Sequence, residues 1–507
     1  MADDFRTLSE LFGCGAGDAT AISAPGRAAL TYEGLRRLAA TTTKTLNALG
    51  IGRNDRLAIV LPNGPEMAAA FLAIGAGATT APLNPAYKVE EFDFYLKDLA
   101  ARALVVDAEG HAAAEQAAKQ LGIPVLRLVT DKASAAGDFR LEGEAIGTAK
   151  LEGAAEPDDI ALILHTSGTT SRPKIVPLSH VNVTASARHI SASLALTNAD
   201  RCLNVMPLFH IHGLIAAVLS SLSAGASIFC TPGFNALNFF SLLDEAKPSW
   251  YTAVPTMHQA ILSRASRNAD SIAKAKLRFV RSSSSSLPPQ VMAELESVFG
   301  CPVIEAYGMT EAAHQMASNP LPPLKRIAGS VGLAAGPDVA IMDNAGKLLK
   351  AGETGEIVIR GPNVTKGYEN NPKANVEAFA HGWFHTGDQG TMDLEGYVRI
   401  TGRLKEIINR GGEKVSPREV DEVLMDHPAV QQVVTFAMPH DKLGEEVAAA
   451  IVLREGQTAS EREIRDFAAG RLAGFKVPRK LVFLDEIPKG ATGKLQRIGL
   501  AAKLGLG

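Results

Sequence analysis

Apolar positions fall in short blocks whose period changes along the chain. Between residue 28 and about residue 130, apolar runs of strand length, Arg56-Leu-Ala-Ile-Val-Leu61 and Ala103-Leu-Val-Val106, alternate with stretches of helical periodicity at 66–76 and 89–99. Such alternation predicts α/β layers with parallel strand pairing. After a soft segment at 133–159 the pattern resumes, with strand-like runs at 202–206, 227–230, 250–254, 277–281 and 302–305. From 330 to 400 the runs shorten and are separated by Gly, Asn and Asp, as in Gly355-Glu-Ile-Val-Ile-Arg360 and Gly396-Tyr-Val-Arg-Ile400. This predicts a small β-rich subdomain. Beyond Arg403 a helix is expected over 416–427, begun by Pro417 in its first turn, then strands at 430–438 and 446–453 and a helix at 461–472. The fold class expected is α/β: a large N-terminal domain (1–402) of layered α/β subdomains with the β-rich subdomain, and a smaller α+β C-terminal domain (403–507).

Length supports this division, because 507 residues exceed what one hydrophobic core usually serves. A composition of 46% hydrophobic and 21% charged residues is that of a globular protein, and a formal charge of −3 gives no electrostatic case for nucleic acid or an anionic membrane surface. The most apolar window, 214–229, is broken by Ser220, Ser221, Ser223 and Gly225, so it reads as a buried helix passing into a strand rather than a membrane span. Cys14, Cys202, Cys230 and Cys301 are scattered, without metal or disulfide spacing, which suits a reducing compartment. The N-terminus lacks the basic start and apolar core of a signal peptide, and the C-terminus is not a peroxisomal address. The expected location is the cytosol.

Six stretches carry candidate chemistry. In His165-Thr166-Ser167-Gly168-Thr169-Thr170-Ser-Arg-Pro-Lys174, hydroxyls, a Gly and a Lys can converge on a polyphosphate, although the spacing is not that of a P-loop. Pro207-Leu-Phe-His210-Ile-His212-Gly213 would put two His on one side of an extended segment. Arg281-Ser282-Ser283-Ser284-Ser-Ser286 follows a strand pattern, where ligands approach α/β sheets. Glu305-Ala306-Tyr307-Gly308-Met-Thr310-Glu311, just past another strand, combines a ring for a purine, a hydroxyl for phosphate and a carboxylate for Mg²⁺. His385-Thr-Gly-Asp388 offers an acceptor for ribose hydroxyls, and Pro488-Lys-Gly-Ala-Thr-Gly-Lys494 a late cation.

In this order, these stretches closely resemble the adenylate-forming acyl-CoA synthetase superfamily over nearly the whole chain. The resemblance implies ATP, Mg²⁺ and coenzyme A as cofactors and a small carboxylic acid as partner, with an acyl-AMP intermediate. It implies that residues from Thr166 to Lys174 hold the β- and γ-phosphates, that Thr310 meets the α-phosphate and that Glu311 holds Mg²⁺. Tyr307 would pack on adenine beside Glu305 and Ala306, while Asp388 and Arg403 would meet the ribose. Lys494 would bridge the acid and the α-phosphate, with His210 in the catalytic set. The C-terminal domain would be mobile, swinging about Lys405 to bring Gly411 and Gly412 beside the acyl-adenylate for CoA.

The acid is expected to be short and rich in oxygen. His210, His212, Ser282, Ser283, Ser284 and His314 make a polar acyl site, whereas fatty or aromatic acids gain affinity by burying apolar surface. A second carboxylate would need a partner, either Arg281 or a protonated His. The loop ending at Lys174, Trp250-Tyr-Thr-Ala-Val-Pro-Thr256 with His258-Gln259, Ser318-Asn-Pro-Leu-Pro322 and Gly361-Pro-Asn-Val-Thr-Lys-Gly-Tyr368 look like the oxalate–CoA ligases of plants and fungi. Oxalate is therefore the leading expectation, with malonate or another short acid as the alternative. A carrier-protein-loading adenylation domain is the alternative of another class.

Overall fold

The computed structural model describes residues 5–131, 133–166, 173–488 and 495–506. The N-terminal part is built on two large sheets. The first has seven strands in the order Arg140–Glu142, Val125–Val129, Ala103–Asp107, Arg56–Val60, Thr79–Pro82, Ile160–Thr166 and Lys174–Ser179. Its five inner pairing partners, from Val125–Val129 to Ile160–Thr166, run parallel. The runs at Arg56 and Ala103 become inner strands because they bear apolar residues on both faces, as strands covered on two sides must.

The second sheet has nine strands, and six of them run parallel: Val303–Met309, Phe279–Ser282, Trp250–Ala253, Arg201–Asn204, Ser227–Cys230 and Thr20–Ser23. A continuous apolar core joins the two sheets through residues such as Leu57, Phe71, Leu162, Ile215, Trp250 and Ile304. The window at 214–229 divides as its sequence predicts, into a π-helix His212–Leu219, a helical turn Ser220–Ser223 and the strand Ser227–Cys230. Among the described residues no helix is long and apolar enough to cross a membrane.

The β-rich section is a four-stranded antiparallel sheet of Asp338–Met342, Gly355–Arg360, Phe384–Met392 and Val398–Arg403. A five-stranded C-terminal sheet then starts at Ile408–Arg410, with the long hairpin Val430–His440 and Gly444–Leu453 at its centre. The helix begun by Pro417 runs Pro417–Met425, and the next runs Glu461–Ala469, where Gly470 follows. The break between the two sheets is the segment 404–407, one residue past the expected boundary, because Arg403 still pairs with Asp388 in the strand ladder. The C-terminal unit rests on the N-terminal part through Gln259, which donates to the Gln431 carbonyl at 3.1 Å, and Ser416, which donates to the Thr401 carbonyl.

Candidate active site

Parallel strands place their carboxyl ends on one side of the nine-stranded sheet, and Ser282, Glu305, Ala306 and Tyr307 lie in two of those strands. Val303–Met309 carries Glu305, Ala306 and Tyr307 inside the strand rather than past it, and the 3₁₀ turn Thr310–Ala312 supplies Thr310 and Glu311. Tyr307 is buried, and its hydroxyl donates to Asp388 Oδ2 at 2.5 Å. The other carboxylate oxygen of Asp388 accepts from Arg403 Nε at 3.0 Å. Burial first, and then the Asp388 charge, push the Tyr307 phenol well above its ordinary range, so it stays a donor. The same Asp388 charge raises the Arg403 guanidinium still further. Asp388 thus sits between two donors, in the strand Phe384–Met392 rather than in a free turn.

A second group lies around Glu311. Its Oε1 accepts from the Tyr368 hydroxyl at 2.8 Å, and Lys174 Nζ stands 4.3 Å from the centre of the Tyr368 ring. Burial raises the Glu311 carboxyl above its usual range, opposed by Tyr368, Arg403 and Lys174. Thr166 and Lys174 face each other as partners on antiparallel strands. Ser167, Gly168, Thr169 and Thr170, expected at the phosphates, lie outside the described residues, as does Lys494. Tyr368 has no role in the sequence reading, although it closes a stretch that carried the resemblance.

The third group forms the candidate acid site. His212 is fully buried, with Nε2 2.6 Å from Thr252 Oγ1 and Nδ1 3.0 Å from Ser284 Oγ. Its ring meets that of His314 edge to face at 5.0 Å. Arg281, also fully buried, approaches His212 Nε2 at 3.4 Å and donates to Gln315 Oε1 at 3.1 Å. Burial lowers its guanidinium to about 9, and among the described residues no carboxylate forms an ion pair with it. Ser284, Ala313 and His314 all have positive φ, of 74°, 47° and 98°. Non-glycine residues are held there at a cost, a common feature of ligand sites. Gly308 permits the fold-back, because a Cβ at that position would lie 1.9 Å from the His314 carbonyl oxygen.

One expectation is corrected here. His210 and His212 do not share one side of an extended segment: His210 lies in a turn and accepts the His212 backbone N–H on Nδ1 at 3.3 Å, while His212 opens the π-helix. Along the Ser run, Ser282 ends its strand fully buried, its hydroxyl without a hydrogen-bond partner among the described residues, and Ser283 donates to the Ala306 carbonyl at 2.9 Å.

In the C-terminal domain, Gly411 and Gly412 form the two-residue turn between Ile408–Arg410 and Glu413–Val415, with φ of 60° and 100°. Such hairpin turns need positive φ at both positions, which explains the glycine pair. Lys405 lies exposed in the turn that joins the two domains. A cavity between the domains is lined by Thr256, Ser285, Ser286, Arg418, Leu495 and Arg497, among others.

The Tyr307–Asp388–Arg403 cluster, the Lys174–Tyr368–Glu311 group and the polar group around His212 are the arrangement expected of an adenylate-binding α/β enzyme. Residues 14–369 match the model of the AMP-binding enzyme family, and residues 419–494 match that of the AMP-binding enzyme C-terminal domain. The chain belongs to the AMP-binding enzyme family. It is 46% identical over 488 residues to the oxalate–CoA ligase of Arabidopsis thaliana, covering 95% of this chain and 94% of that one. It is 42% identical to the oxalate–CoA ligase of Saccharomyces cerevisiae, covering 88% and 86%. Among solved structures, ATP-bound MatB from Rhodopseudomonas palustris superposes with a TM-score of 0.88 at 30% identity over 98% of both chains. The apo form of MatB, with the same identity and coverage, gives 0.78.

Proposed function

We propose that this protein is an ATP-dependent, AMP-forming acid–CoA ligase whose acid is oxalate. The observation that carries the choice of acid is the buried polar group of His212, Ser284 and His314, with the Arg281 guanidinium behind His212 as a positive charge that no carboxylate among the described residues offsets. A small dianion suits such a site, whereas an alkyl chain or ring would strand its polar groups. The 46% identity to an oxalate–CoA ligase over nearly the whole chain supports the same reading.

In the first half-reaction an acid oxygen attacks the α-phosphorus of ATP and the bond to pyrophosphate breaks. In the second, the CoA thiolate attacks the acyl carbon and AMP leaves. Bringing one anion onto another requires fixed positive charge and donors. Lys174 and the flanking loop take the β- and γ-phosphates, Thr310 the α-phosphate, and Asp388 with Arg403 the ribose. Lys494 serves the adenylation step from the C-terminal domain. The donor chemistry at Glu311, one buried carboxylate oriented by Tyr368, fits Mg²⁺, which takes few protein ligands and completes its shell with water and phosphate oxygens. When bound, the ion supplies positive charge against those oxygens.

The higher TM-score to ATP-bound than to apo MatB supports a lid arrangement suited to adenylation. Leu495, which directly follows Lys494, lines the inter-domain cavity with Ser285 and Ser286, which supports the same arrangement. Lys405 is the hinge of the lid, and the Gly411–Gly412 turn receives the pantetheine arm in the second step. We place the enzyme in the cytosol, where its free cysteines would stay reduced. Pyrophosphate release measured with oxalate, malonate, glycolate, acetate and a long-chain acid tests the assignment. Oxalate should have the highest kcat/KM, and a preference for the long-chain acid would overturn the pocket reading.

A further inference from the structure

A hydrogen-bond chain behind the candidate acid site begins at Arg281 and has a direction. Guanidinium is always a donor. Arg281 Nη1 lies 3.4 Å from both Thr252 Oγ1 and His212 Nε2, so both atoms turn lone pairs toward it. The orientation of Arg281 is itself fixed. Its Nη2 donates to Gln315 Oε1 at 3.1 Å, and Gln315 Nε2 donates to Ser193 Oγ at 2.9 Å and to the Ala335 carbonyl at 3.2 Å. Because a carbonyl only accepts, the amide cannot be reversed, and its oxygen must face Arg281.

With Nε2 of His212 an acceptor, the Thr252 hydroxyl proton lies in the 2.6 Å contact with Nε2. The ring proton of His212 must then be on Nδ1, which reaches Ser284 Oγ at 3.0 Å. Ser284 accepts that proton, so its own hydroxyl proton is left to donate outward. Ser284 is partly exposed, unlike Ser282 and Ser283 behind it. Its φ of 74° holds it at this position against its own backbone preference.

We propose that Arg281 and Thr252 are positioning residues that hold His212 as its Nδ1–H tautomer, so that the chain Arg281, Thr252, His212, Ser284 ends in a hydroxyl proton directed at the distal carboxylate of the acid. The proposal rests on the reading of this group as the acid site. Arg281 does not touch the acid. Its charge acts through three polarised hydrogen bonds, which strengthen one another in a low-dielectric interior.

The test uses the full-length enzyme labelled with ¹⁵N-histidine. Long-range ¹H–¹⁵N correlation reports the His212 tautomer, assigned by its loss in His212→Gln, and pyrophosphate release gives KM for the acid and for ATP. Wild type should show His212 protonated on Nδ1. Thr252→Val, which keeps the shape of a fully buried side chain, should convert His212 to a tautomer mixture and raise the acid KM about tenfold with ATP KM unchanged, as for one lost hydrogen bond to a charged group. Arg281→Met should do the same and Arg281→Lys should recover part of the loss; where Arg281→Met fails to fold, Thr252→Val decides. A wild-type His212 protonated on Nε2, or a folded Thr252→Val enzyme with unchanged acid KM, would overturn the relay. Should wild type prefer an acid other than oxalate, the oxalate assignment fails on that measurement alone, and the tautomer and the KM for the preferred acid still decide for or against the relay.

Discussion

Replacing Glu305 with Gln should change how the stability of the N-terminal domain depends on pH. Glu305 is fully buried on Val303–Met309; its Oε1 accepts the Leu287 N–H at 2.9 Å, and Oε2 has no hydrogen-bond partner among the described residues. Burial raises its carboxyl from 4.5 to about 7, opposed by Arg418 and the Leu287 N–H. The folded state therefore holds a proton that the unfolded state releases. The resulting stabilisation is complete below 4.5, falls as pH rises, and is gone above about 7. At ~1.4 kcal/mol per pH unit, that gap amounts to about 3 kcal/mol.

Gln is neutral at every pH and keeps the Oε1 acceptor. Glu305→Gln should match wild type near pH 4.5 and exceed it by about 3 kcal/mol at pH 8. Trp250 is fully buried in the same sheet, separated from Glu305's strand by the strand Phe279–Ser282. Urea unfolding followed by its fluorescence, in a Trp383→Phe background and without ligands, would measure the difference. A difference that does not vary with pH, or that grows toward acid, would refute the reasoning.

Tyr307→Phe removes the 2.5 Å hydrogen bond to Asp388 while Arg403 keeps its own; the KM for ATP should rise about tenfold with little change in acid KM, measured by pyrophosphate release. Glu311→Gln should lower adenylation by about 10²–10³ and shift the Mg²⁺ requirement to higher concentration, as a magnesium titration of the same assay would show. Lys494→Ala should nearly abolish acyl-AMP formation while sparing thioester formation from supplied acyl-AMP; equal loss of both would contradict its assignment to adenylation alone.

The layered α/β architecture was legible because buried strands and amphipathic helices leave different periods, and Arg56–Val60, Ala103–Asp107, Pro65–Gly75 and Val89–Asp98 lie where those periods place them. Candidate nucleotide-side residues could be named from the sequence because several occupy short contiguous stretches, such as Glu305 to Glu311. What escaped the reading is long-range. Tyr368 meets Glu311 across 57 positions, Gln315 meets Arg281 across 34, and Thr252 meets His212 across 40. Local pattern says nothing about such meetings. The fates of Ser282, Ser283 and Ser284 differ because the strand ends within the run, and identical side chains give no sign of which residue crosses from core to site.

The connection between the two domains is only four residues long, 404–407. Fully extended, such a segment spans about 14 Å. Arg403, immediately before it, is bonded to Asp388. With the proposed hinge at Lys405, the C-terminal domain would turn without drifting away, its local concentration at the candidate nucleotide side exceeding what a long flexible linker would give. Lengthening this connector with flexible residues would leave every side chain in both domains intact and still dilute one domain from the other, so slower adenylation is the expected outcome.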